Sequence, residues 1–189
     1  MSTPDNIIFD WNQGNRHSPP LKRVELFDET LRDGIQCPSI TDPPIEKKLE
    51  ILRLLDSIGV DEADIALPGA GKRAVEDCTT MVEMIRDEGL NIRPAAAART
   101  HPNDIRPIIE ISEKTGVPIE VYAFLGSSPI RLFTEGWDED KLENLTRTAT
   151  RMTKEVLQSS KGFRELVGPR ITDVLERFDD SVSESESDT

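Results

Sequence analysis

Residues Leu26–Pro38 read LFDETLRDGIQCP and run from a short apolar strand into a tight turn at Gly34. Arg32 and Asp33 stand side by side just before that glycine. A carboxylate at the end of a strand can hold a divalent cation, and a neighbouring guanidinium can stabilise an oxyanion. Taken alone, the pair is more simply an exposed ion pair that orders a turn, because such pairs are common and contribute little. The rest of the chain decides between these two interpretations.

The composition restricts the possible partners. The chain has 189 residues, enough for one domain with a sizeable core, and its 36 acidic residues outnumber its 23 basic ones for a formal net charge of −13. This charge argues against nucleic acid and anionic membranes, since both would repel the protein. Cys37 and Cys78 form no disulfide framework, and we find no apolar run of the roughly 20 residues that a membrane span needs and no signal-peptide pattern. We therefore expect a cytoplasmic protein.

The hydrophobic pattern alternates between short apolar runs and amphipathic helical stretches. Strands separated by helices of this length predict right-handed crossovers and a parallel sheet. Spacing alone does not distinguish a TIM barrel from an open doubly wound sheet. The predicted strands are Val24–Asp28, Ala63–Leu67, Ile92–Ala97 and Ile119–Phe124, and the predicted helices are Ile45–Ile58, Val75–Glu88, Asn103–Lys114 and Asp138–Val156.

The segment DETLRDGIQ resembles the strand-1 signature D-T-T-L-R-D-G-x-Q of the pyruvate-carboxyltransferase-like (HMG-CoA lyase-like) TIM barrels. That family includes 2-isopropylmalate, homocitrate and citramalate synthases and HMG-CoA lyase. The resemblance implies a barrel, in which Arg32 is catalytic and steadies the enolate or keto oxygen, while Asp33 ligates the metal. Asp28 and Gln36 also match the signature and are implied to have supporting or substrate-side roles.

Three later segments are similar to other parts of the same family. GVDEADIALPGAG resembles G-V-D-x-I-E-V-G-F-P, with Asp64 in place of the family's glutamate. AAAART places Arg99 near the family's strand-3 arginine. VYAFLGSSPIRLF resembles F-x-x-x-S-P-I-H, with Arg131 where a histidine is frequent. The resemblance thus implies that substrate is bound by Gln36, Asp64, Arg99, Ser127, Ser128 and Arg131.

The chain carries only part of such a barrel. A TIM barrel has eight strand–helix units and typically ~250 residues, whereas four units are recognisable here. The resemblance also implies two further metal ligands in an H-x-H motif on strand 7, but His17 and His101 lie far apart and cannot form that pair. We therefore expect a half barrel with an incomplete set of metal ligands.

The ends of the chain differ in character from the middle. We expect an N-terminal arm at 1–22, the partial barrel at 23–157, a linker and helix at 158–178, and an acidic, Ser-rich, disordered tail at 179–189. The predicted helix Pro169–Phe178 has one apolar side and could cover inward-facing side chains of the half barrel. That side is formed by Ile171, Val174, Leu175 and Phe178.

The resemblance implies a Claisen condensation of acetyl-CoA with a 2-oxo acid at a divalent metal (Mg, Mn or Zn). The SPIR…GWDEDK segment favours the 2-isopropylmalate synthase branch and leucine-type biosynthesis, with a homocitrate or citramalate synthase or an HMG-CoA lyase-like enzyme as alternatives. With an incomplete ligand set, we expect the chain alone to be inactive. An alternative of another class is a non-catalytic remnant, or a subunit that completes a barrel by self-association or with a partner chain.

The site residues are expected to converge, because active sites of TIM barrels lie at the C-terminal ends of the strands. We expect Arg32, Asp33, Asp64, Arg99, Ser127 and Ser128 to face one mouth. A partly buried guanidinium needs a counter-charge, so Arg32 should hydrogen-bond an acidic partner, with Asp64 the first choice.

Overall fold

A computed structural model describes residues 24–159 of the chain. The predicted arm, the predicted helix Pro169–Phe178 and the predicted tail lie outside these residues. The strands are β1 Phe27–Asp28, β2 Glu62–Asp64, β3 Arg93–Arg99 and β4 Glu120–Phe124, and the helices are α1 Ile45–Ser57, α2 Lys72–Glu88, α3 Pro102–Thr115, α4 Pro129–Glu135 and α5 Glu139–Ser159.

The four strands form one parallel sheet in the order β1-β2-β3-β4. This order is what successive right-handed strand–helix–strand units produce, whereas a doubly wound sheet reverses its strand order at a switch point. The α/β class and the parallel pairing were predicted and are confirmed. The fold is that of a partial TIM barrel.

The main core lies between the sheet and helices α1 to α3. Side chains alternate along β2 and β3, so that Ala63, Ile65, Ala96 and Ala98 point toward the helices and join the buried cluster. Helices α2 and α3 each bury one face against this core. The two faces consist of Cys78, Met81, Val82 and Ile85 on α2 and of Ile105, Ile108, Ile109 and Ser112 on α3.

Several predicted boundaries need correction. β1 ends at Asp28 as predicted but begins at Phe27 instead of Val24, and a π-helical turn over Thr30–Gly34 follows it. β2 begins at Glu62 and ends at Asp64 instead of Leu67, because the chain then enters a loop and a 3₁₀ turn at Pro68–Ala70.

Ile58, the last residue of the predicted helix Ile45–Ile58, lies outside α1 and is 72% exposed, because the helix ends at Ser57 and the chain turns at Gly59. Helix α4 was not predicted.

The opposite side of the sheet is called the open face here. Paired residues of parallel strands project to the same side, so the register places Phe27, Glu62, Arg93 and Asp64 together. β4 adds Glu120, Tyr122 and Phe124 to this face. Phe27, Tyr122 and Phe124 are 42%, 40% and 45% exposed, which means that the apolar part of the open face is only half covered.

Within residues 24–159, no helix has both the length and the apolar character that crossing a bilayer would require.

Candidate active site

The π-helical turn fixes the RDG motif at the C-terminal end of β1. The carboxylate of Asp28 accepts hydrogen bonds from the Thr30 amide and hydroxyl, both at 2.9 Å, and so starts the turn. The Leu31 side chain is only 1% exposed and anchors the turn in the core. The backbone that carries Arg32 and Asp33 is therefore fixed by the hydrogen bonds of Asp28 and by the buried Leu31 side chain. These hydrogen bonds fit the supporting role implied for Asp28.

The Arg32 guanidinium contacts a carboxylate and an aromatic ring, and one of its nitrogens has no partner within residues 24–159. One terminal nitrogen donates to the Asp33 carboxylate, and the guanidinium carbon lies 5.0 Å from the centre of the Phe124 ring. Its Nε is buried and has no hydrogen-bond partner among the described residues. The predicted acidic partner of Arg32 is present, but it is Asp33 instead of Asp64, and Asp64 interacts with Arg32 through its charge. Arg32 is thus an anchored cation whose buried Nε–H has no partner in the part of the chain that the structure describes.

Asp64 is a buried carboxylate with an elevated pKa. It is 3% exposed and its Oδ1 accepts a hydrogen bond of 3.2 Å from the Ala97 amide. Burial raises the pKa of Asp64 to about 6, although the nearby charge of Arg32 and backbone hydrogen bonds lower it in part. A carboxyl group in this state can carry or release a proton near neutral pH.

Glu29 and Asp33 form the acidic edge of the turn. A hydrogen bond with Asp33, together with burial and the charge of Asp33, raises the pKa of Glu29. The Asp33 side chain is 53% exposed and accessible to a cation. Within residues 24–159, however, no three histidine, cysteine or acidic side chains come together as a metal site. Asp33 fits the carboxylate part of a divalent-metal site, and the described residues do not complete it.

Arg99 ends β3 and pairs within its own loop. Its Nε and one terminal nitrogen donate to the Asp104 carboxylate at 2.6 and 2.9 Å, and the Arg99 amide donates at 3.1 Å. The Asp104 side chain is only 4% exposed, and the ion pair lowers its pKa. Sequence reasoning missed Asp104. Its position in the first turn of α3, where a carboxylate is favoured by the helix dipole, was the available signal.

The residues after β4 mainly build helix α4. Ser128 is its N-cap, accepting a 3.3 Å hydrogen bond from the Arg131 amide. The Arg131 side chain lies over the Trp137 ring at 5.9 Å and pairs with Glu135 at 3.3 Å. Arg131 is therefore engaged by its own helix and by a ring two residues beyond the end of that helix.

A cavity of about 250 Å³ adjoins Arg32 between the first two strand–helix loops. Lys48 lies at its wall with a side chain only 5% exposed, and its Nζ is 2.8 Å from Asp42 and 2.7 Å from Asp77. Sequence reasoning missed this buried lysine, whose position between apolar residues of α1 was the only hint. The polar lining consists of Arg32, Gln36, Asp42, Lys48, Arg73 and Asp77.

The predicted site residues all lie at or after the C-terminal ends of parallel strands, and hence at one edge of the sheet. Direct contacts or charge interactions join only part of the set. Arg32 is linked to Asp33, to Asp64 and to Phe124 of β4. Arg99, Ser128 and Arg131 instead interact with residues of their own loop or helix.

The sequence of this chain is similar to parts of known synthases. A 2-isopropylmalate synthase of Nitrobacter hamburgensis is 34% identical over 130 residues, which cover 68% of this chain and 24% of that protein. A second one, from Nitrobacter winogradskyi, is 36% identical over 110 residues (58% and 20%), and a homocitrate synthase of Methanocaldococcus jannaschii is 33% identical over 112 residues (59% and 25%). The match thus spans a fifth to a quarter of each relative. The profile of the family described as HMGL-like matches residues 23–180, and the chain belongs to that family.

Proposed function

We propose that this chain contributes the first four strand–helix units of an enzyme that condenses acetyl-CoA with a 2-oxo acid. The names of its relatives support a synthase of the 2-isopropylmalate type, serving leucine-type amino-acid biosynthesis, with a homocitrate synthase as the alternative. The cleavage reaction of a lyase is less favoured, because the relatives named above are synthases.

The state of Arg32 is the observation that carries this proposal. Its guanidinium is fixed by Asp33 and Phe124, yet its buried Nε has no partner in the described structure. Donors fixed in advance and aimed at developing negative charge are what stabilise an oxyanion. We assign Arg32 to the oxygen that becomes negative when the acetyl enolate attacks the keto carbon.

Asp33 is the proposed metal ligand on this chain. A bound divalent cation would polarise the keto oxygen of the 2-oxo acid and neutralise charge that develops there. The remaining ligands would come from further barrel units, supplied by a partner chain or by self-association. Within 24–159 the chain offers no complete site, so the isolated chain should have at most trace activity.

Asp64 is proposed to face the substrate as a group that can exchange a proton near neutral pH. Gln36 lines the cavity beside Arg32 and is proposed to bind substrate there. Arg99 and Arg131 pair with Asp104 and Glu135, and the guanidinium donors that these ion pairs do not use are proposed to bind substrate. Ser127 and Ser128 complete the proposed substrate-binding set at the end of β4.

A chimera tests the proposal. Residues 24–159 would replace the matching segment of the Nitrobacter hamburgensis synthase, and thiol release from acetyl-CoA would be measured with 2-oxoisovalerate and Mg²⁺ or Mn²⁺. We expect turnover by the chimera and none above trace by the 189-residue chain. Arg32→Ala in the chimera should lower turnover by about 100-fold or more.

The matched control is Arg147→Gln, which removes an exposed arginine paired with Glu143 on α5. It should leave turnover unchanged. If Arg32→Ala behaved like Arg147→Gln, the assignment of Arg32 would be wrong. A folded chimera without activity would favour the non-catalytic alternative.

A further inference from the structure

The loop of residues 36–42, called the first loop here, connects the π-helical turn to α1. All of its residues are exposed. Its backbone hydrogen bonds are local, such as those from the Gln36 amide to Asp33 at 3.2 Å and from the Ile40 amide to Cys37 at 3.0 Å. Hydrogen bonds of this kind shape a loop but do not attach it to the neighbouring helices.

Asp42 attaches the first loop to both neighbouring helices. Its carboxylate lies 2.8 Å from Nζ of Lys48 on α1 and 3.0 Å from a terminal nitrogen of Arg73 on α2. Lys48 is also 2.7 Å from Asp77, and Nε of Arg73 is 3.9 Å from that second carboxylate. Two cations and two carboxylates thus form one network without net charge.

The two halves of this network differ in exposure. The side chains of Lys48 and Asp77 are 5% and 15% exposed, whereas those of Asp42 and Arg73 are 40% and 63% exposed. A buried charge needs a partner, but an exposed ion pair contributes little to stability. When Asp42 moves away, Asp77 still neutralises Lys48 and lies near Arg73. The first loop can therefore be released without leaving a buried charge unpaired.

The network stands at the wall of the cavity beside Arg32. Gln36 and Asp42, which begin and end the first loop, line this cavity together with Lys48 and Arg73. A movement of the loop therefore displaces Gln36 and changes the opening of the cavity. Loops that move over a site in this way control the access of ligands and place the groups that bind them.

We propose that the first loop is a lid on this cavity and that Asp42 is its latch. In the closed state, which the structure shows, Lys48 and Arg73 hold Asp42. In the open state Asp77 alone neutralises Lys48 and attracts Arg73. Asp42 is thus a positioning residue that acts on a ligand through Gln36. The latch is a property of the loop itself, whereas its effect on substrate rests on the proposed function.

A nitroxide spin label on Cys37 tests the latch in the full 189-residue chain. The chain has two cysteines, and Cys78 is 0% exposed, so in the folded protein the label attaches to the first loop. We expect Asp42→Asn to raise the mobile fraction of the electron paramagnetic resonance spectrum about two-fold or more, because the loop then lacks its charged attachment. Salt at about 1 M should raise this fraction in the unchanged chain but not in Asp42→Asn, since salt screens exposed ion pairs.

Variants on α2 supply the controls. Arg73→Gln should also raise the mobile fraction, and Arg73→Lys, which keeps the charge, should restore most of the original spectrum. Lys72→Gln is the matched control, because the Lys72 side chain is 91% exposed and pairs with Glu76, and it should leave the spectrum unchanged. An unchanged mobility in Asp42→Asn, or an equal effect of Lys72→Gln, would overturn the latch.

The chimera with the Nitrobacter hamburgensis synthase tests the effect on substrate. There Asp42→Asn should raise the KM of at least one substrate about 5-fold or more, with kcat lowered less, because a loosened Gln36 binds substrate less well. An unchanged KM together with a mobile loop would overturn the positioning role of Asp42. An inactive chimera would count against the proposed function alone, since the spectra of the 189-residue chain decide the latch independently.

Discussion

Gly69 lies directly against Asp104. A Cβ atom on Gly69 would be 2.5 Å from Cγ and 3.0 Å from Cα of Asp104. Since Asp104 also holds Arg99 through three hydrogen bonds, the turn after β2 is locked to the start of α3 and to the end of β3. The glycine is needed here for close approach of two backbones.

Gly69→Ala should therefore destabilise the protein. The added methyl group meets backbone as well as a buried carboxylate, so the loops must separate. We expect a loss of about 2 kcal/mol in the free energy of unfolding, measured by urea denaturation, as for other overpacked sites. Gly34→Ala is the control, because the nearest atoms to its new Cβ would be 3.7 Å away. Equal losses in the two variants would contradict the close-approach argument.

The fold could be predicted from sequence because its signals are local and repeated. Apolar stripes such as Cys78–Ile85 and Ile105–Ser112 report the buried side of a helix whatever the neighbouring elements do. The partners of charged side chains could not be predicted in the same way. Arg32 pairs with Asp33, Arg99 with Asp104, and Lys48 with Asp42 and Asp77, and these choices depend on the shapes of loops that periodicity does not describe.

Asp64→Asn should change how stability depends on pH. The pKa of Asp64 is raised to about 6 in the folded protein from an ordinary 3.8, because burial disfavours the charged form. The stability that the buried, neutral Asp64 carboxyl group contributes is therefore fully present below pH ~4. It is lost as the pH rises through about 6, where the group must ionise in the folded protein. The Asp64→Asn variant should not lose stability in this way. At pH 8 its free energy of unfolding should exceed that of the original protein by at most about 3 kcal/mol.

Urea unfolding at pH 5 and pH 8 checks this expectation, with exposed Asp140→Asn on α5 as control. At both pH values, the Asp140→Asn control should have the same free energy of unfolding as the original protein. If Asp64→Asn were the less stable variant at pH 8, the carboxylate of Asp64 would be stabilising in its charged form, and the raised pKa would be wrong.

Lys48→Met should be strongly destabilising. The substitution leaves Asp77, whose side chain is only 15% exposed, with the more distant Arg73 at 3.9 Å. Breaking a buried ion pair from one side costs about 3 kcal/mol or more. Lys47→Met is a neighbouring control, because the Lys47 side chain is 65% exposed and pairs with Glu50, which is itself exposed. That change should cost under about 1 kcal/mol, and similar urea midpoints for both variants would refute the role of Lys48.

Tyr122 should ionise well above the ordinary range of a phenol. Burial, the hydrogen bond to Glu62 and the charges of Glu62 and Glu120 all raise the pKa of Tyr122. The chain has a single tyrosine, so absorbance at ~295 nm during an alkaline titration reports this residue alone.

Glu62→Gln removes both the charge and the strongest acceptor, and should therefore lower the pKa of Tyr122 toward the ordinary value. Glu139→Gln, a change at the start of α5, should leave the titration unchanged. Circular dichroism at each pH restricts the comparison to the folded protein. If Tyr122 titrated with an ordinary phenol pKa, and if Glu62→Gln left that pKa unchanged, Tyr122 and Glu62 would not interact. The aromatic rings and the carboxylates of the open face would then not be connected by this hydrogen bond.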